Sequence, residues 1–160
     1  RDRLMSRGPG DVYKRQVICV NPSNSSDKEI VDGLSKQNED LRLFLSDELE
    51  DSFKSSLPGK KAIGDILDDT HISTASSGAF CGVFFEDKDS KLRSIFINAI
   101  EDSSLKRIIW LSQSDPDEKI LNLKNLAYLQ HEDYKNLIEN VLELESQEEI
   151  DFGHKQISKD

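Results

Sequence analysis

The chain has 160 residues, and its 31 acidic against 21 basic residues give a formal net charge of −10. This length fits one domain that buries a core without disulfides or metals. A surface this acidic repels phosphate backbones and anionic lipid headgroups, which excludes nucleic acid and membrane surfaces as expected partners.

Residues 1–16 differ in character from the rest of the chain. Residues 11–16, DVYKRQ, match one reading frame of the transposon end used in sequencing libraries, and residues 6–10 resemble the adjoining index adapter with one codon changed. The alternative is a genuine basic arm that contains Gly and Pro. Because segments of this kind are excluded from fold reasoning, we predict a disordered artefact over residues 1–16, a domain over residues 17–144 and a polar tail that frays over residues 145–160.

The first elements of the domain are a strand, a helix and a second strand. A continuous apolar run over residues 17–20 ends in turn residues, which favours a strand buried on both faces. Ser25 or Ser26 then caps a helix. Alternating leucines predict the second strand over residues 41–45.

A polar segment and a turn follow the second strand. Residues 47–56 are polar and predict a loop, and Leu57-Pro58-Gly59 is a turn signal. Apolar residues at spacings of three and four then predict a helix over residues 60–71. Residues 80–85 read as the third strand.

The second half of the chain contains the clearest helix, which spans about residues 90–100 and is capped by Asp89 or Ser90. Residues 108–111 predict the fourth strand. Residues 121–129 are ambiguous and read as a short helix that leads into a short edge strand. Asp133 opens the last helix.

Strands and helices therefore alternate along the chain. This order implies a parallel sheet with helices on both faces. We predict a flavodoxin-like α/β sandwich of three layers with four to five parallel strands, because the chain looks too short for a full two-half dinucleotide fold. Ligands of such sheets bind at the carboxyl ends of the strands.

Three segments, in the same order as in the family, resemble a bacterial Toll/interleukin-receptor (TIR) domain. Residues 18–34 resemble its first strand, Ser-rich turn and first helix. Residues 43–77 resemble the strand, the acidic loop and the Pro-Gly turn that precede its third strand, and residues 125–144 resemble its C-terminal end. The resemblance implies that Leu57, Pro58 and Gly59 form the family's interaction loop, which mediates contacts with itself or with other TIR-like domains.

Enzymatic TIR domains cleave NAD with a glutamate near the start of the helix after the third strand. A carboxylate there stabilises an oxocarbenium-like transition state. In this chain Phe96 stands at that position. Glu86, at the carboxyl end of the third strand, is the best replacement, although it also fits a solvated loop before the helix.

Four further residues are candidates for ligand binding because they stand at carboxyl ends of predicted strands. They are Asn21, Ser23, Asp47 and Trp110. Asp47 also fits a solvated acidic loop, and Trp110 fits either the core or a platform on which a base stacks. The chain contains neither GxGxxG nor GxxxxGK[ST], which removes the usual phosphate-binding fingerprints.

Histidines and cysteines give no support to a metal or thiol site. His71, His131 and His154 are isolated in the sequence, and Cys19 and Cys81 stand singly in apolar strands. The spacing of these residues is not that of a metal site. We expect two reduced, buried thiols, as in a cytoplasmic protein.

These observations lead to one main functional hypothesis and two alternatives. The main one is a TIR-like assembly module, catalytically degenerate, that acts in prokaryotic signalling or immunity and needs no cofactor. The alternatives are an NAD glycohydrolase that uses Glu86, with NAD as substrate, and a nucleotide-binding sensor without catalysis.

Overall fold

A computed structural model describes residues 16–38, 40–87, 91–132, 134 and 136–157. Within these residues the chain forms one sheet of seven strands, in which every neighbouring pair is parallel. In chain order the strands are β1 (Val17–Val20), β2 (Leu41–Ser46), β3 (Lys60–Gly64), β4 (Cys81–Phe85), β5 (Arg107–Ser112), β6 (Leu126–His131) and β7 (Gly153–Ile157). Their order across the sheet is β3-β2-β1-β4-β5-β6-β7.

In the described part of the chain, six helices flank this sheet. They are α1 (Ser25–Gln37), α2 (Asp51–Ser56), α3 (Asp69–Ala75), α4 (Leu92–Glu101), α5 (Glu118–Leu121) and α6 (Leu137–Ser146). The pairs α1 with α6 and α3 with α4 contact each other. None of the helices in the described ranges combines the length and the apolar character that a membrane span requires.

The sheet separates the core into two layers, one on each of its faces. In β1, Val17 and Cys19 belong to the layer under α1 and α6, whereas Ile18 and Val20 belong to the layer under α3 and α4. All four side chains are fully buried. Successive side chains of a strand point to opposite faces, so a strand covered on both sides is apolar throughout.

The strand order is that of a doubly wound, Rossmann-type sheet with one added strand. Such sheets have the order 3-2-1-4-5-6, and the order reverses between β1 and β4. The predicted α/β class, with a parallel sheet between helices, is confirmed. The predicted four to five strands are too few, and the full two-half fold fits into this short chain after all because its connections are brief.

The helix predicted over residues 60–71 is wrong. Residues Lys60–Gly64 form the edge strand β3, which pairs only with β2, and α3 starts later at Asp69. Most of β3 is exposed, so its residues lack the apolar run that marks a buried strand. The loop predicted over residues 47–56 also contains a helix, α2.

The polar tail predicted from Glu145 is corrected by β7. Gly153–Ile157 pairs with β6 along its whole length, so β6 is an inner strand and not an edge strand. The strand was missed because its side chains alternate between half-buried and exposed and include His154, Lys155 and Gln156. Gln16, at the end of the segment ascribed to adapter sequence, accepts backbone hydrogen bonds from Phe80 and Cys81 through its carbonyl.

Helix starts differ from the predictions by small amounts. The cap of α1 is Asn24, whose side chain accepts from the backbone of Asp27, rather than Ser25 or Ser26. Helix α6 begins at Leu137. The predicted caps Asp89, Ser90 and Asp133 lie outside the described residues.

Candidate functional site

A cavity of about 350 Å³ lies at the carboxyl edge of the sheet, where the strand order reverses between β1 and β4. Its walls come from the segments that follow β1, β4, β5 and β6. The lining residues are Ser23, Asn24, Asp27, Phe85, Glu86, Asp87, Ser112, Gln113, Ser114, His131 and Tyr134. Ligands of doubly wound sheets bind in the crevice at this point, so the cavity is the candidate site.

The turn after β1 is built on Asn21. This residue has a φ of 71°, in the left-handed region that asparagine tolerates better than most side chains. Its side-chain nitrogen donates to the carbonyl of Phe85 at 3.0 Å and to the carboxylate of Asp87 at 3.3 Å. Asn21 is buried and ties β1 to the end of β4, which is a structural role.

Asp27 and Ser23 form the wall of the cavity at the amino end of α1. The Asp27 carboxylate accepts from the Ser23 backbone at 2.9 Å and lies 3.4 Å from the Ser23 hydroxyl. The Asn24 side chain in turn accepts from the Asp27 backbone at 2.8 Å. Burial raises the pKa of the Asp27 carboxyl, and its hydrogen bonds to Ser23 and Tyr134 offset this only in part.

Glu86 lies in the opposite wall and is held by two donors. Its Oε1 accepts from the indole nitrogen of Trp110 at 2.7 Å and from the guanidinium of Arg93 at 3.1 Å. The Glu86 side chain is only 9% exposed. Burial alone would lower the pKa of Arg93, but the hydrogen bond and the charge of Glu86, together with the nearby Tyr128 and Asp117, outweigh burial and raise it. Glu86 therefore lines the cavity but is bound to its neighbours, and its predicted catalytic role stays a prediction.

Arg93 connects Glu86 to the segment after β5. It donates to the Tyr128 hydroxyl at 2.8 Å and to the carbonyl of Asp115 at 2.7 Å. The Tyr128 hydroxyl donates to the carbonyl of Ser114 at 2.5 Å. Burial is the main cause that raises the pKa of Tyr128. This chain of bonds fixes the rim of the cavity next to Ser114.

Two aromatic residues singled out in the sequence belong to the core. Phe96 and Trp110 are fully buried, with their ring centres 5.6 Å apart. Phe96 also packs edge-on against Phe84. Burial excludes Trp110 from stacking on a ligand base, so that prediction is wrong, whereas the interpretation of Phe96 as a core residue is confirmed.

Asp47 and the Leu57-Pro58-Gly59 segment lie outside the cavity lining. Asp47 is exposed directly after β2, at the same edge of the sheet. Leu57 is buried in the core, and Gly59 has a φ of 99° at the start of β3. The segment links α2 to β3, and its leucine packs inward.

Nine of the eleven lining residues were not identified from the sequence, among them Asp27, His131 and Tyr134. Asp27 stood in a first helical turn, which explains an acidic residue without any site. His131 and Tyr134 followed a segment that was expected to be an edge strand. Their rings lie 4.8 Å apart at the end of β6. Only the true strand order, with β6 inside the sheet, places them at the switch point.

The two cysteines and His71 lie outside the cavity lining. Cys19 and Cys81 are buried free thiols, as expected. His71 is exposed on α3 and lies 3.4 Å from Asp68. Within the described residues, no group of three or more His, Cys, Asp or Glu side chains is arranged to hold a metal ion.

No protein-family model and no curated protein matches the sequence. Solved structures do match the fold. The apo form of AtPrR2 superposes with a TM-score of 0.58 at 16% identity, covering 73% of this chain and 48% of its own. A wide-type short-chain dehydrogenase/reductase from Veillonella parvula in complex with NADP gives 0.56 at 10% identity, covering 73% and 69%. A Rossmann-fold NAD(P)-binding family protein from Shigella flexneri gives 0.54 at 14% identity, covering 73% and 66%.

These identities are low, so the likeness establishes the fold alone. The chain spans about half the length of AtPrR2 and about two thirds of the other two proteins. The likeness to Rossmann-type reductases contradicts the hypothesis of a TIR-type signalling and assembly module, which rested on element order and short motifs. The strand order explains that error, because missing β3 and β7 made the sheet look smaller than it is.

The turn after β1 does not fit the pyrophosphate of NAD(P). In dinucleotide-binding Rossmann domains, glycines let the backbone approach the pyrophosphate at the amino end of the first helix. Here the turn carries Asn21, Ser23 and Asn24 instead. The Asp27 carboxylate already accepts from the Ser23 backbone at this position. A pyrophosphate at this place would meet both a negative charge and the side chains that surround it.

Proposed function

We propose that the chain is a Rossmann-type ligand-binding module that takes a nucleoside-containing compound at the carboxyl edge of its sheet. The observation that carries the proposal is the cavity at the reversal between β1 and β4. In doubly wound sheets this crevice is the ligand site because the connections on its two sides run to opposite faces and leave a gap.

The chemistry of the lining supports a ligand with several hydroxyl groups. Carboxylates of Asp27, Glu86 and Asp87 line the cavity together with the hydroxyls of Ser112 and Ser114. Carboxylates accept hydrogen bonds from sugar hydroxyls. The ring of Tyr134 supplies an aromatic surface beside them.

The end of β2 supports a ribose in particular. In Rossmann domains an acidic residue about 20 positions after the first turn accepts a hydrogen bond from a ribose hydroxyl. Asp47 stands directly after β2, exposed and at the same edge of the sheet as the cavity. A nucleoside that extends from the cavity past β1 would approach Asp47 along this edge.

Thermal unfolding with a panel of adenosine, AMP, ADP, NAD and NADP tests the proposal. Saturation at about 100 times the dissociation constant stabilises a protein by about 2.7 kcal/mol, which is about 5–10 °C in Tm for a domain of this size. We expect at least one compound of the panel to produce a shift of this kind, and isothermal titration calorimetry to confirm its binding.

A variant that fills the cavity makes the test specific. Gln113 is exposed at the cavity lining, so Gln113→Trp should remove the shift without unfolding the domain. Asn98→Trp is the matched control, since Asn98 is exposed on α4 outside the cavity lining. A folded protein that no compound stabilises, or equal binding by Gln113→Trp, would contradict the proposal.

A further inference from the structure

We infer that Asp27 acts as a built-in anion that occupies the phosphate position of the Rossmann turn, so that the cavity selects nucleosides without phosphate over nucleotides. This inference rests on the proposed function and names the ligand class of the same site. The sheet is of the Rossmann type, but its first turn carries Asn21, Ser23 and Asn24 in place of the glycines of a phosphate site.

Two of the groups that would bind a phosphate are already used by the protein. A phosphate at the amino end of a helix is held by free backbone amides. At α1, the amide of Ser23 donates to the Asp27 carboxylate at 2.9 Å, and the amide of Asp27 donates to the Asn24 side chain at 2.8 Å. A phosphate would have to displace both side chains before it gained these bonds.

The charge around the cavity also disfavours a bound phosphate. Three carboxylates line it, from Asp27, Glu86 and Asp87, and its described lining contains no lysine or arginine. Arg93, the nearby cation, directs its guanidinium to Glu86, Tyr128 and the carbonyl of Asp115. A phosphate beside α1 would therefore face the Asp27 carboxylate, whose described partners Ser23 and Tyr134 carry no positive charge.

An uncharged nucleoside avoids this repulsion and makes use of the same carboxylates. Its ribose hydroxyls donate to oxygens that a phosphate would repel. Asp27 is 96% buried in the folded chain, where charge interactions are weakly screened. The selection therefore acts at short range and should persist at moderate ionic strength.

The inference is tested by calorimetric titration of the full chain with adenosine, AMP and ADP at about pH 7.5. We expect adenosine to bind at least about tenfold more tightly than ADP, since a charge repulsion within about 5 Å easily reaches this size. Asp27→Asn keeps the shape of the side chain and a carbonyl acceptor for Ser23 but removes the charge. In this variant the preference for adenosine over ADP should fall by about tenfold.

Asp32→Asn is the matched control. Asp32 lies on the same helix, is partly exposed and pairs with Lys28, so this variant changes the net charge equally without touching the turn. It should keep the wild-type preference. If Asp27→Asn does not fold, the wild-type ratio of the adenosine and ADP affinities still decides the question.

The outcomes separate the two proposals. If the folded wild-type protein binds none of the three compounds, the proposed function itself is overturned. If it binds ADP as tightly as adenosine or more tightly, the ligand site stands and the role of Asp27 is overturned. The same holds if Asp27→Asn and Asp32→Asn leave the preference equally unchanged.

Discussion

The indole nitrogen of Trp110 lies 2.7 Å from Oε1 of Glu86, so two residues that the sequence suggested for separate ligand contacts instead bind each other. Glu86 comes from the end of β4 and Trp110 from β5, and their strands are adjacent. The same carboxylate oxygen accepts from Arg93 at 3.1 Å. One acidic side chain therefore satisfies a buried indole and a partly buried cation.

Glu86→Ala should lower the free energy of unfolding by about 2–3 kcal/mol, because it leaves the Trp110 donor and the Arg93 charge without their acceptor. Urea denaturation followed by Trp110 fluorescence measures this change. Glu29→Ala serves as the control, since Glu29 is exposed on α1. Equal stability of the two variants would show that the Glu86 contacts contribute nothing measurable.

Gly59→Ala should destabilise the domain by about 2–3 kcal/mol through two effects. Gly59 has a φ of 99°, and a Cβ at this position would lie 2.8 Å from the carbonyl oxygen of Leu41. Gly153→Ala separates them, because Gly153 has a φ of 111° but nothing within 4 Å of a Cβ. The Gly153 variant should show only the conformational cost of about 1 kcal/mol. Similar losses in both variants would rule out the steric effect at Leu41.

The sequence predicted the inner part of the sheet and missed its edges. Strands β1 and β5 are buried on both faces and read as apolar runs. Strands β3 and β7 lie at the edges and are largely exposed, so their composition resembles a helix surface or a loop. The apolar pattern of a segment reflects the burial of its side chains. An edge strand buries too few side chains to show such a pattern.

The candidate site was predicted only in part, for a related reason. Glu86 was found because it follows a clear strand at the carboxyl edge. Tyr134 was not, since its place in the cavity lining depends on the strand order across the sheet. Asp47 was placed at the correct edge. The loops that follow parallel strands all lie at this edge. Which of these loops contact one another depends on the order of the strands across the sheet.

Arg107→Ala should destabilise the C-terminal part of the fold by about 2–4 kcal/mol. The buried guanidinium of Arg107 donates to the carbonyls of Leu144, Glu145, Gln147 and Glu148, between 2.6 and 3.1 Å. These bonds hold the end of α6 against β5, and their loss leaves buried acceptors unsatisfied.

Hydrogen exchange measures where the Arg107 variant loosens. Protection of β7 should fall more than protection of β1, because the chain reaches β7 directly from the segment that Arg107 holds. Lys106→Ala is the control, since Lys106 is exposed next to Arg107. A uniform loss of protection over the sheet would mean that Arg107 supports the whole domain rather than its C-terminal part.

Both cysteines should be unreactive in the folded protein. Cys19 and Cys81 are fully buried, and burial is the main cause that raises the pKa of the Cys19 thiol. The thiolate is the reactive form, so burial suppresses both access and reactivity. Ellman's reagent should label both thiols in urea and neither in buffer on the same time scale. Rapid labelling of the native chain would indicate that β1 and β4 separate readily.

The pH dependence of stability should contain a contribution from Asp27. Burial raises the pKa of its carboxyl in the folded chain above the value of about 3.9 found in unfolded chains. The folded state therefore binds this proton more tightly than the unfolded state. The resulting stabilisation is fully present below the unfolded pKa and is lost as the pH rises through the folded pKa.

Asp27→Asn should remove this loss, because the amide keeps an acceptor for Ser23 but does not ionise. The free energy of unfolding of the variant should exceed that of the wild type above the folded pKa, and the two should converge at low pH. Of the groups that contact the Asp27 carboxylate from the turn and from the segment before α6, Ser23 does not titrate, and the pKa of Tyr134 is raised from its ordinary value of 10.0. Urea titrations between about pH 3 and pH 8 measure the difference, and Asp32→Asn controls for net charge. A difference independent of pH would show that the carboxyl keeps its unfolded pKa in the native turn.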